Sequence, residues 1–178
     1  IGVSRGLGDV YKRQTDIFSL SLEELAEKIK SGQLTSVEVC KTYIERIKKF
    51  DKDIKAWAHF DSKVLLEKAT EADEHRRAGK PTGFLHGVPI AVKDIIGTVD
   101  MPTECGTVIR KGKSYSQNAE IIDLLHSSGA IVMGKTATSE LAYLDPPPTT
   151  NPHDKSRTPG GSSSGSAASV ASFMAPAS

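Results

Sequence analysis

Cysteine is nearly absent from this chain. Its 178 residues hold two, Cys40 and Cys105, far apart and in no CxxC or metal-ligand spacing. A disulfide framework and a cysteine-built zinc site are therefore excluded, and free thiols in a reducing cytoplasm are expected. Each thiol reads as a small buried hydrophobe. Excess charge of one sign is missing too. Lys and Arg number 23 against 22 Asp and Glu, a net charge of +1, so no strong field points to nucleic acid or an anionic membrane surface. Long apolar runs are also lacking: Val88–Val92 is far too short to cross a bilayer. No charged-then-apolar signal pattern opens the chain.

What is there suits a globular protein. Hydrophobic residues make up 38% and charged residues 25%, which is enough for a core and close to the globular average. Residues 1–14, IGVSRGLGDVYKRQ, lack an initiating Met and show neither helical nor strand periodicity. They read as a non-native leader. Residues 15–80 read as an N-terminal helical region, and 81–178 as the N-terminal portion of an incomplete α/β core.

The helical region is marked by its caps. Ser21-Leu-Glu-Glu24 and Thr35-Ser-Val-Glu38 are capping boxes, each followed by apolar residues at helical spacing. The first helix stops near Gly32 and the second near Phe50. A third helix is expected from Ser62 to Ala78, with Gly79 as its stop. Trp57, between the second and third, reads as core, and the whole opening reads as all-α. The character changes at Gly83. Val88-Pro-Ile-Ala-Val92 reads as a buried strand, with Pro89 tolerable at a strand's first positions or on an edge. Ala119–Ser128 reads as a helix ended by Gly129, and Ile131–Met133 as a strand closed by Gly134. Strand, helix, strand predicts parallel pairing through a crossover. A short helix is expected over Ser139–Tyr143.

Two features carry chemistry. The first is Thr158-Pro-Gly-Gly-Ser-Ser-Ser-Gly-Ser166, which leads into a helix of small residues. Taken alone, it could cradle phosphate at a helix N-terminus, present a serine as nucleophile or relay, or be a flexible linker. A Walker loop would need lysine where Ser166 stands. The second is Lys93, at the carboxyl end of a buried strand, where open α/β sheets bind ligands. Its plainer reading is a strand-end lysine, solvated or paired to Asp94. The histidines, His59, His75, His86, His126 and His153, are scattered without ligand spacing and read as structural or surface residues. No metal site is expected.

Gly87-Val-Pro-Ile-Ala-Val-Lys-Asp94, Gly129-Ala-Ile-Val-Met-Gly-Lys-Thr136 and Asn151-Pro to Pro159-Gly-Gly-Ser-Ser-Ser-Gly-Ser-Ala-Ala168 occur in that order. In order and spacing they resemble the amidase-signature family, and SLEELAEKIKSGQLTSVEV resembles that family's first helices. The resemblance implies an α/β fold with N-terminal helices followed by part of a mixed, mostly parallel sheet core, here truncated. It implies a Ser–cis-Ser–Lys triad in which Lys93 is the base. Ser162 is then the bridging serine, joined to Gly161 by a cis peptide. Ser164, Gly160 and Gly161 would steady the site, and Glu140 lies in a segment lining the substrate side. The family's nucleophilic serine and oxyanion N–H groups fall beyond Ser178.

The residue types suit the chemistry. Serine is a weak nucleophile until a base takes its proton. Lysine is a base only when neutral; its free pKa of about 10.4 is lowered by desolvation. The resemblance implies hydrolysis of a carboxamide to carboxylate and ammonia or amine, without cofactor. Its partner is a small-molecule amide rather than nucleic acid or membrane, and a homodimer of the full-length protein is the assembly to look for. The A subunit of glutamyl-tRNA amidotransferase is an alternative within the family. Lys93-Asp-Ile-Ile96 and Leu141-Ala-Tyr-Leu-Asp-Pro-Pro-Pro148 look more like free amidases. Outside the family, a non-catalytic fragment or a Gly/Ser-loop phosphate binder stays open.

Overall fold

The structure, a computed structural model, describes residues 17–178; the stretch read as a leader lies outside the described residues. Helix α1 (Leu22–Lys30) and helix α2 (Ser36–Ile54) both start on complete capping boxes, Ser21 with Glu24 and Thr35 with Glu38. Each box satisfies backbone N–H groups that a helix start leaves orphaned. Helix α2 runs past Phe50 because Ile54 continues its buried stripe, and it stops at Lys55, whose backbone is left-handed (φ 56). Asp61 accepts the N–H groups of Lys63 and Val64 to open α3 (Ser62–Arg77). Buried Asp73 of α3 accepts the N–H groups of Ser36 and Val37 at 2.8 and 3.1 Å, which joins α3 to the first turn of α2.

The opening is not wholly helical. Strand β1 (Trp57–Phe60) lies between α2 and α3. Four residues are too few to show a period of two, and the segment is a strand only because it pairs antiparallel with β3 (Ile131–Thr136). Strand β2 (Pro89–Lys93) pairs parallel with β3, in the order β1-β3-β2. Pro89 is the first residue of β2, where a missing N–H costs nothing to the ladder. Helix α4 (Glu120–Ser127) connects β2 to β3, as the strand–helix–strand pattern predicts.

Gly134 does not close β3. The strand continues through Lys135 and Thr136, both fully buried. A Cβ at Gly134 would stand 2.8 Å from the His59 carbonyl oxygen and from the Trp57 ring. The glycine is therefore a close-approach residue under β1, not a terminator. The short helix expected over Ser139–Tyr143 is a 3-10 turn, Glu140–Ala142, with Leu141 and Ala142 left-handed. Helix α5 (Ser164–Ala171) starts inside the Gly/Ser segment rather than after it. One apolar cluster joins Leu25, Val39, Leu65, Ile90, Met133 and Ala168 across helices and sheet. A smaller one, Val92, Met101, Ile122 and Val132, packs α4 on the sheet. Among the described residues, no helix is long and apolar enough to cross a membrane.

Candidate active site

Strand β2 is buried along its length and delivers Lys93, partly buried, at its carboxyl end. There the Lys93 Nζ donates to Ser162 Oγ at 2.7 Å. Burial lowers the pKa of Lys93 below the ordinary lysine value, because the ammonium form loses hydration. The peptide bond between Gly161 and Ser162 is cis.

The end of β3 holds the Ser162 loop. The Ser139 N–H donates to the Ser162 carbonyl at 3.0 Å, and the Gly165 N–H donates to the Ala137 carbonyl at 2.8 Å. Thr136 Oγ1 and Ser166 Oγ share a hydrogen bond of 2.7 Å. Buried Ser164 donates its hydroxyl to the Gly160 carbonyl at 2.6 Å, closing the turn through Gly160, whose φ is +84°. A Cβ on Gly165 would meet the Ala137 nitrogen and the Ala56 oxygen at 2.3 Å. Only glycine lets α5 start this close to the strand. So many bonds to ordered backbone exclude the linker reading. The Gly165 N–H, which a phosphate cradle would offer to its ligand, is already bonded to the strand.

Asp94 does not serve Lys93 as a counter-ion. Its carboxylate turns to Lys135, 3.7 Å away, with both groups almost wholly buried, and accepts the Glu104 N–H. Lys135 also donates to the Ile96 carbonyl and to Thr103 Oγ1, each at 2.7 Å. Burial pulls Lys135 down and Asp94 up from their ordinary values; their mutual attraction opposes both. Reading Gly134 as a strand end hid Lys135 and Thr136. Carrying β3 two residues further would have placed both inside.

Glu140 stands apart. It lines a cavity of about 440 Å³ with Trp57, Thr138, Asp145 and Pro146, and neither Lys93 nor Ser162 is among its walls. The histidines form no cluster with acids or cysteines fit for a metal among the described residues. His86 is buried with its ring on the Ala72 carbonyl.

The amidase family profile matches residues 38–178, and the chain is a member of the amidase family. Relatives include the A subunits of glutamyl-tRNA(Gln) amidotransferase from Thermobifida fusca and Renibacterium salmoninarum. They are 39% and 40% identical over 91% of this chain. Among solved structures, the peptide amidase of Stenotrophomonas maltophilia superposes with a TM-score of 0.81 at 32% identity over 88% of the chain. An amidase family protein of Bacillus anthracis does so with a TM-score of 0.83 at 28% identity over 98% of the chain. The chain spans about a third of each: 34% and 32% of the two relatives and 35% and 37% of the two structures.

Proposed function

We propose that the protein carrying this chain hydrolyses a carboxamide to a carboxylate and ammonia or an amine, with Lys93 as base and Ser162 as relay. The observation that supports this most is the 2.7 Å contact between Lys93 Nζ and Ser162 Oγ, from segments 69 residues apart. With the amine neutral, the same line lets the hydroxyl donate its proton to Lys93. Ser162 can then take a proton from a serine nucleophile supplied beyond these 178 residues, as the family's order of motifs implies. The nucleophile attacks the amide carbon, and the tetrahedral adduct collapses to an ester as the C–N bond breaks. The proton held on Lys93 returns through Ser162 to the leaving nitrogen. Water, deprotonated by the same relay, then cleaves the ester and frees the carboxylate. Ser164, Gly160 and Gly161 hold the turn that carries Ser162. The substrate is a small amide, no step calls for a cofactor, and the setting is the cytoplasm.

The test is ammonia release from simple carboxamides by the complete protein. Lys93→Ala and Ser162→Ala should each lower kcat by at least about 100-fold, the low end for a lost general base. Near-wild-type turnover in either variant would sink the assignment. Turnover should rise with pH, because only neutral Lys93 accepts a proton, and its midpoint should lie below the ordinary lysine value of about 10.4.

A second reading is supported by the 39–40% identity to the amidotransferase subunits: the same pair would then release ammonia from glutamine within a complex. Hydrolysis of simple amides without partner subunits decides between the two.

A further inference from the structure

Thr136 occupies an unusual place between the two halves of the candidate site. It is fully buried and stands in register with Lys93 across the β2–β3 pair. Its backbone carbonyl accepts the Asp94 N–H at 2.9 Å, fixing the chain immediately after Lys93. Its hydroxyl shares a 2.7 Å hydrogen bond with Ser166, in the first turn of α5. The loop bearing Ser162 enters that same turn. One residue therefore binds the strand end that carries the amine and the helix start that follows the hydroxyl.

We infer that Thr136 is a positioning residue, whose bond to Ser166 sets the separation of Lys93 and Ser162. This rests on the amidase reading. The other ties between β3 and the loop, from Ser139 and Gly165, are backbone bonds that fix the loop's path. The Thr136–Ser166 bond ties the helix start to the strand through side chains, on the strand that neighbours Lys93. A proton relay is steep in distance, so a small displacement of Ser162 slows transfer while leaving substrate contacts elsewhere intact.

The test uses the complete protein and four variants: Thr136→Val, Thr136→Ser, Ser166→Ala and Thr136→Val/Ser166→Ala. Valine keeps the shape of threonine without its hydroxyl, and serine keeps the hydroxyl. Two measurements are made, carboxamide turnover and the pH dependence of Lys93 acetylation by acetic anhydride, read on the Lys93 peptide by mass spectrometry. Thr136→Val should lower kcat by roughly tenfold or more with KM within about twofold. Thr136→Ser should restore kcat. The double variant should regain thermal stability, since both partners of a buried bond are removed together, yet stay slow. The acetylation midpoint should rise in Thr136→Val toward the ordinary lysine value, as Lys93 gains water and sheds the burial that lowers its pKa. Asp94 follows Lys93 in the chain, Lys135 lies opposite Val92 on β3, and Glu104 gives its N–H to Asp94; none of the three is altered.

Wild-type kcat and an unmoved midpoint in Thr136→Val would overturn the inference. If Thr136→Val does not fold, Ser166→Ala takes its place under the same two readouts. If Lys93→Ala keeps full turnover, the amidase reading falls instead. The acetylation midpoint then decides alone whether Thr136 holds Lys93 against Ser162.

Discussion

Lys93 ends β2 and Lys135 stands one residue before the end of β3, and the two have different surroundings. Among the described residues Lys93 has no carboxylate partner, only a hydroxyl, and burial lowers its pKa. That suits the proposed role of an amine that loses its proton and regains it. Lys135 is wholly buried, faces Asp94 at 3.7 Å, and has two further oxygen acceptors, which is the setting for a cation that stays in place. Lys135→Met would leave the Asp94 carboxylate buried beside an apolar side chain. Losing one member of a buried pair costs about 3–5 kcal/mol, and the urea midpoint should fall accordingly. A further Asp94→Asn exchange should recover part of the loss, because no charge is then left unpaired. If the single exchange leaves the midpoint unchanged, the pair contributes nothing.

At the scale of elements, strand β3 organises the site. It pairs with β1 on one edge and β2 on the other, and its exit holds the Gly/Ser loop. Helix α5 can dock there only because Gly165 has no side chain. A methyl group would fall 2.3 Å from two backbone atoms that cannot move independently of the sheet. Gly165→Ala should therefore push the helix start outward. Overpacking of this kind typically costs about 1–3 kcal/mol. Turnover should fall along with stability, since Ser162 precedes the displaced turn. A crystal structure of the variant with Lys93 Nζ and Ser162 Oγ still in contact would contradict this.

At the scale of the molecule, one apolar cluster runs from α1 through α2 and α3 to the sheet and α5. Ile29 of α1 is completely buried within it. Ile29→Ala should cost about 2–5 kcal/mol. The loss should lower the helical signal and the Trp57 fluorescence transition by the same urea increment, because small domains with one core unfold as a unit. Separate transitions for the two probes would mean that the helices and the sheet are independent bodies.

The sequence by itself determined what depends on neighbours along the chain. Helix starts were legible at Ser21 and Thr35, since a capping box is closed within four residues, and so were buried β2 and the strand–helix–strand order. The motifs around Lys93 and Gly160–Ser164 were enough to name the family. Only the tertiary structure decided β1, which is too short to declare itself and exists through its pairing with β3. It also decided that Gly134 lies inside a strand, because the reason is a tryptophan ring from a distant segment. The Asp94–Lys135 pair and the Thr136–Ser166 bond were equally illegible. Hydrogen bonds and ion pairs between side chains depend on distance in space, and spacing along the chain says nothing of that until the sheet is built.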